Sequence, residues 1–159
     1  MASPMRQTQP GRYLCEAMDG SANQEILPLV VDRELRIGFR LVKDDFDSKK
    51  AALASIGFEG SAGRSRVAVG KAQNDRFGMY AAVQPPGDAD RVVFEYPVTD
   101  KWTILKLKLD RHGYLNIRGH DLTQRYKWGP VTRAGLHCQY GEFEIDIWPR
   151  SYVPVGGGG

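Results

Sequence analysis

Lys106, Lys108, Arg118 and His120 all fall in one stretch, WTILKLKLDRHGYLNIRGHD, from Trp102 to Asp121. Cations and an imidazole at alternating positions can share one face of a strand pair, because side chains alternate sides with period two. Such a face can hold an anion, with Trp102 or Tyr114 as a flat platform beside it.

Whether those groups meet depends on register. DRHG places Asp110 at the first position of a type I turn and Gly113 where a left-handed residue is needed. The resulting three-residue hairpin pairs Asp110 with Tyr114, Leu109 with Leu115 and Leu107 with Ile117. A one-residue slip would set Leu107 beside Asn116 and scramble the apolar face, so the bulged register is expected. Its polar face then carries Trp102, Ile104, Lys106 and Lys108 against Asn116, Arg118, His120 and Leu122. Lys106 stands opposite Arg118, which costs a few tenths of a kcal/mol unless something neutralises the pair.

Three answers present themselves. The lysines can guard a sheet edge. Alternatively, GEFEIDIW can lie beside the hairpin and supply Glu142, Glu144 and Asp146 as cross-strand partners; this is the expectation. The third answer is a bound anion or acidic glycan. It would make Trp102, Lys106, Arg118 and His120 ligand-binding residues, joined by Tyr126 and Trp128 from QRYKWGP, since flat rings suit a sugar's C–H face.

Other groups carry weaker chemistry. Glu144-Ile145-Asp146-Ile147 resembles the core of the E-x-D-x-E or E-x-D-x-x-E strand of jelly-roll β-glucanases. The resemblance implies a glutamate nucleophile and an assisting aspartate on one face, spaced for retaining hydrolysis. The place of that family's last glutamate is taken by Trp148 or Pro149, so the proton donor is missing. The strand reads more simply as amphipathic, with Phe143, Ile145 and Ile147 inward.

His112, His120 and His137 lack zinc-site spacing, so no metal and no cofactor is expected. DDFDS, Asp44 to Ser48, lacks the glycine and glutamate of a calcium loop. The glycines of GFEGSAGRSR leave a helix rather than enter one, and read as a mobile loop. Cys15 and Cys138 make no disulfide framework and are expected as buried thiols in a reducing compartment.

These groups need elements to carry them. Short alternating runs separated by turn signals predict an all-β, single-domain antiparallel sandwich, jelly-roll-like, or a barrel. The runs are RYLCEAM, ILPLVV, RELRIGFRLVK, SRVAVGKA, FGMYAAVQ, RVVFEYPV, the hairpin, TQRYKW and GEFEIDIW. In RELRIGFRLVK, Leu35, Ile37, Phe39 and Leu41 share one face. One short helix is expected near 47–57, capped by Asp47 or Ser48, with Leu53 and Ile56 facing the sheet. Residues 1–10 read as a flexible arm, 11–154 as the domain, and 155–159 as a glycine-rich tail.

A formal charge of +3 is too small for a dedicated nucleic-acid binder. No apolar run reaches membrane-span length, and the N-terminus has no secretory signal, so a cytoplasmic location is expected. The function these readings favour is a non-catalytic binding module for a glycan or another anionic surface. The alternatives are an assembly subunit that contacts protein partners or copies of itself, and a glycoside-acting enzyme with an incomplete E-x-D motif.

Overall fold

The computed structural model describes residues 3–44, 51–71, 78–96, 102–119 and 122–149. All regular structure among them is strand. The first half contributes β1 (Ser3–Pro4), β2 (Arg6–Gln9), β3 (Arg12–Ile26), β4 (Glu34–Asp44), β5 (Leu53–Gly60) and β6 (Gly63–Lys71). The second adds β7 (Met79–Gln84), β8 (Arg91–Tyr96), β9 (Thr103–Leu109), β10 (Tyr114–Gly119), β11 (Leu122–Lys127) and β12 (Arg133–Trp148). The expected all-β architecture holds, antiparallel throughout except for the short β1–β3 pair.

The long β12 organises the sheet. One edge pairs with β3 from Ala134 to Asp146. The other edge is shared: residues 133–139 pair with β5 and residues 141–148 with β4. Two wings therefore leave the same edge, β4-β9-β10-β11 and β5-β6-β7-β8. At the boundary the β3 register shifts between Gln139 and Gly141, and Tyr140 takes a positive φ of 54°. A bulge with a left-handed residue bends a strand, which lets the ribbon of β3 and β12 turn one wing onto the other.

Between the wings lies the core. Leu35, Ile37 and Phe39 of β4 and Leu105, Leu107 and Leu109 of β9 face in from one wing. From the other come Ala54, Ile56 and Phe58 of β5, Val67 and Val69 of β6, and Ala81 and Val83 of β7. Each fully buried large side chain contributes roughly 1.5–3 kcal/mol of transfer free energy. Trp128 joins the wings: it follows β11, its backbone amide donates to Gly113, and its buried ring meets Phe58 edge-on at 6.0 Å.

The hairpin forms in the bulged register. Leu109 pairs with Leu115, Leu107 with Ile117, Lys108 with Asn116 and Lys106 with Arg118. Gly113 has φ 84°, and the Asp110 amide donates to the Tyr114 carbonyl.

Several expectations are corrected. The region expected as a helix near 47–57 contains strand from Leu53 onward; its earlier part, 45–50, lies outside the described residues. The three-residue spacing of Leu53 and Ile56 was outweighed by the period-two set Ala54, Ile56 and Phe58. That strand finds ladder partners on both edges, in β12 and β6, whereas a lone short helix is marginal. GFEGSAGRSR is no loose loop but the tight β5–β6 hairpin, with Gly60 opposite Gly63.

ILPLVV forms no strand beyond Ile26, and Leu27, Val30 and Val31 are exposed where the chain leaves the sheet at Pro28. The segment 1–10 enters the sheet at 3–9, where β1 and β2 pair with β3 and Met5 is buried. Residues 150–159, including the glycine-rich tail, lie outside the described residues. Cys15 and Cys138 are not thiols; they form a disulfide.

Candidate functional site

The structure divides the residues singled out from the sequence. Lys106 and Arg118 are exposed on the outer face of the β4 wing. Trp102 lies on the same wing just before β9, its ring laid over Gly38, where a Cβ would come within 3.0 Å of it. Tyr126 and Trp128 belong to the opposite side of that wing. Tyr126 pairs with the inward Leu115 and packs against the core, and Trp128 is buried. Lys106, Arg118 and Trp102 are thus brought to one face, and the other two rings are withheld from it. His120 lies outside the described residues.

The acids of GEFEIDIW do not answer the hairpin lysines. β4 stands between β12 and β9, so Lys108 faces Glu34, and Lys106 faces Arg36. Glu144 pairs with Arg40, and the Asp146 carboxylate lies 3.6 Å from Arg12 Nε. Both guanidinium groups in turn cover the Trp102 ring, 5.3 Å and 5.7 Å from its centroid. The acids Glu144 and Asp146 of the E-x-D strand are engaged in this cluster.

The groove is an open depression of about 640 Å³ on the outer face of the other wing. Its size falls within the range of roughly 300–1,000 Å³ found for ligand sites. Cross-strand rows define it. One row runs Asn23, His137, Ser55 across β3, β12 and β5. The next runs Glu25, Gly135, Gly57, Arg66, Gln84. The centre is small side chains, with polar groups at both ends.

Glycine at the centre is not needed by the backbone. A Cβ on Gly57 would lie 3.8 Å from its nearest neighbour, ordinary contact, and Gly57 has no positive φ. Its effect is to leave the floor open.

The walls are fixed by polar contacts. His137 Nδ1 lies 2.6 Å from Asn23 Oδ1, and Nε2 lies 3.0 Å from Gln139 Oε1. Contacts at both ring nitrogens hold the imidazole in one orientation. Arg66 is gripped in a fork by Asp90, with Nε 3.2 Å from Oδ1. That hydrogen bond raises the guanidinium's already high pKa and keeps it charged.

Arg133 reaches Glu25 at 3.2 Å and Glu59 at 3.8 Å, while Arg64 reaches the same Glu59 at 3.5 Å. Three arginines thus face three carboxylates, and the groove is dense in donors and acceptors without a large charge of either sign.

One row further along the ladder, Tyr80 lies flat over Gly70, whose added Cβ would sit 2.6 Å from the phenol ring. Burial raises the Tyr80 pKa, and nearby Arg66 partly opposes the rise.

Of these groove residues, Gly57, Arg64 and Arg66 figure in the sequence only as part of the GFEGSAGRSR loop. His137 was read only as one of three scattered histidines. The signal was there in the small residues at alternate positions of β5, Ser55 and Gly57. Outward positions on a solvated strand are ordinarily long and polar.

No protein-family model matches the chain, and no curated protein matches it in sequence. Solved structures do match it in fold. A β-glucanase from Bacillus licheniformis superposes with a TM-score of 0.52 at 6% identity, over 90% of this chain and 79% of that one. The metal-free carbohydrate recognition domain of Emp46p gives 0.52 at 11%, over 89% and 84%. An alginate lyase from Alteromonas sp. 272 gives 0.53 at 7%, over 87% and 86%.

These neighbours correct the expectation that the domain is not an enzyme, because two of the three are enzymes on this same fold. The lack of a linear motif is no argument against catalysis where a site is assembled across strands, as this groove is. At such identities the likeness establishes the fold: the chain adopts the jelly-roll architecture shared by β-glucanases, an alginate lyase and a carbohydrate recognition domain.

Proposed function

We propose that the domain takes a glycan chain into the groove between Asn23–His137 and Arg66–Gln84. The observation that carries this reading is the open floor at Gly57 and Gly135 beneath two walls of oriented donors and acceptors. Sugars present alternating hydroxyl donors and acceptors and a thin ring. They fit a depression whose charges are already paired and whose floor is small. The fold neighbours that act on or recognise carbohydrate support the same ligand class. The Cys15–Cys138 disulfide supports placing the domain in an oxidising compartment.

The test is a panel of β-glucan and alginate oligosaccharides titrated against thermal unfolding. A saturating rise in Tm is expected from one member, by linkage of binding to folding. Gly57→Val should fill the floor and remove the rise while leaving the strand intact, and His137→Ala should weaken it. A panel without any saturable rise, or a rise that survives Gly57→Val, would sink the proposal.

A further inference from the structure

We infer that the opposite face of the molecule carries a second binding surface, for the anionic groups of a sulfated or carboxylated polysaccharide. Arg36, Lys106 and Arg118 are exposed and occupy directly opposed positions on β4, β9 and β10. At a strand spacing of about 4.8 Å, the three cations form a line roughly 10 Å long.

Both internal explanations for this row fail on the structure. β9 lies inside the wing, between β10 and β4, so its lysines guard no edge. Glu144 and Asp146 of β12 are turned to Arg40 and Arg12, Glu142 stands between Lys43 and Glu16 on the ladder, and Glu34 faces Lys108. Among the described residues no carboxylate reaches Arg36, Lys106 or Arg118. Directly opposed like charges are unfavourable in a sheet, and three in a row call for an outside counter-charge.

The row also has an apolar border. Trp148 stands opposite Arg36 on β12, its ring 5.7 Å from the guanidinium and half exposed, and Ile104 beside Lys106 is 47% exposed. A line of cations next to an exposed ring and an aliphatic side chain matches a polymer with anionic substituents and apolar C–H faces. The choice of a polysaccharide over other polyanions rests on the glycan reading of the groove; the anion site itself rests on the row.

Dextran sulfate, with uncharged dextran as control, is the direct probe. Binding to dextran sulfate alone is expected, weakening as salt is raised. Lys106→Gln/Arg118→Gln should lower the affinity roughly tenfold, as expected for the loss of two charge-assisted contacts. Matched unfolding midpoints would show that the variant remains folded. Undiminished binding by that variant, or equal binding to dextran, overturns the surface. Tighter binding to oligothymidylate or to phosphatidylserine vesicles than to dextran sulfate overturns the choice of polysaccharide. Dextran sulfate binding that persists in Gly57→Val, when no glycan binds the groove, leaves this surface standing and fails the groove alone.

Discussion

Cys15 and Cys138 are bonded with Cα atoms 6.4 Å apart, although Cys138 pairs along the ladder with Ala22 rather than with Cys15. Seven positions along a straight strand, from 15 to 22, would span about 23 Å. The ribbon of β3 and β12 must therefore fold back on itself, and the bond clamps the fold where the wings close over the core. It ties residues separated by 123 in sequence, so it restricts the unfolded chain strongly. Replacing both cysteines by alanine is expected to lower unfolding free energy by about 2–5 kcal/mol, read from denaturant midpoints. A midpoint equal to that of the native protein would show that the bulge and core alone hold the bend.

The Asp110 carboxylate organises the hairpin turn. Its Oδ1 accepts from the Tyr114 amide at 3.0 Å and from the His112 amide at 2.9 Å, and Asn116 and Arg125 reach Oδ2. The Tyr114 amide bond, joined by these others, lowers the Asp110 pKa to about 2. Because the folded value lies below the unfolded one of about 3.9, the contribution is present above pH 4 and is lost as pH falls toward 2. Asp110→Asn should flatten the pH dependence of stability in that window. An unchanged slope would mean that other carboxylates set the acid limb.

That hairpin was legible in the sequence because its determinants are local: an aspartate, a glycine and alternating leucines fix the turn and the register together. The neighbours of its polar face were not legible. Whether Glu144 meets Lys106 depends on which strand lies between β12 and β9, and β4 takes that place through pairing distant in sequence. The groove is hidden for the same reason. Asn23, Ser55, Arg66, Gln84 and His137 come from five strands, and only the shared ladder positions on β12 and its neighbours bring them together. At 53–57 the capping and i, i+3 cues were real but short, and pairing on both edges outweighed them.

Tyr13 is fully buried on β3, and its hydroxyl has no hydrogen-bond partner among the described residues. Burial pushes its pKa up to about 12. The folded value lies above the unfolded one of about 10, so its contribution is intact below pH 10 and is lost as pH rises toward 12. Tyr13→Phe should therefore remove part of the alkaline loss of stability. At neutral pH the same change is expected to be neutral or stabilising by about 1 kcal/mol, since it removes a buried unpaired hydroxyl. Destabilisation beyond that size would place an ordered partner on the hydroxyl.

Lys106 lies between Arg36 and Arg118, and exchanging its sign converts two opposed like-charge pairs into two attractive ones. All three side chains are exposed, so the change should act through charge with little repacking. Lys106→Glu is expected to raise stability by roughly 0.2–1 kcal/mol at low salt, fading as salt screens the row. The same substitution should abolish dextran sulfate binding. Gain in stability with loss of binding is the signature of a site kept charged for a ligand. Loss of stability instead would show that the row is already neutralised within the fold.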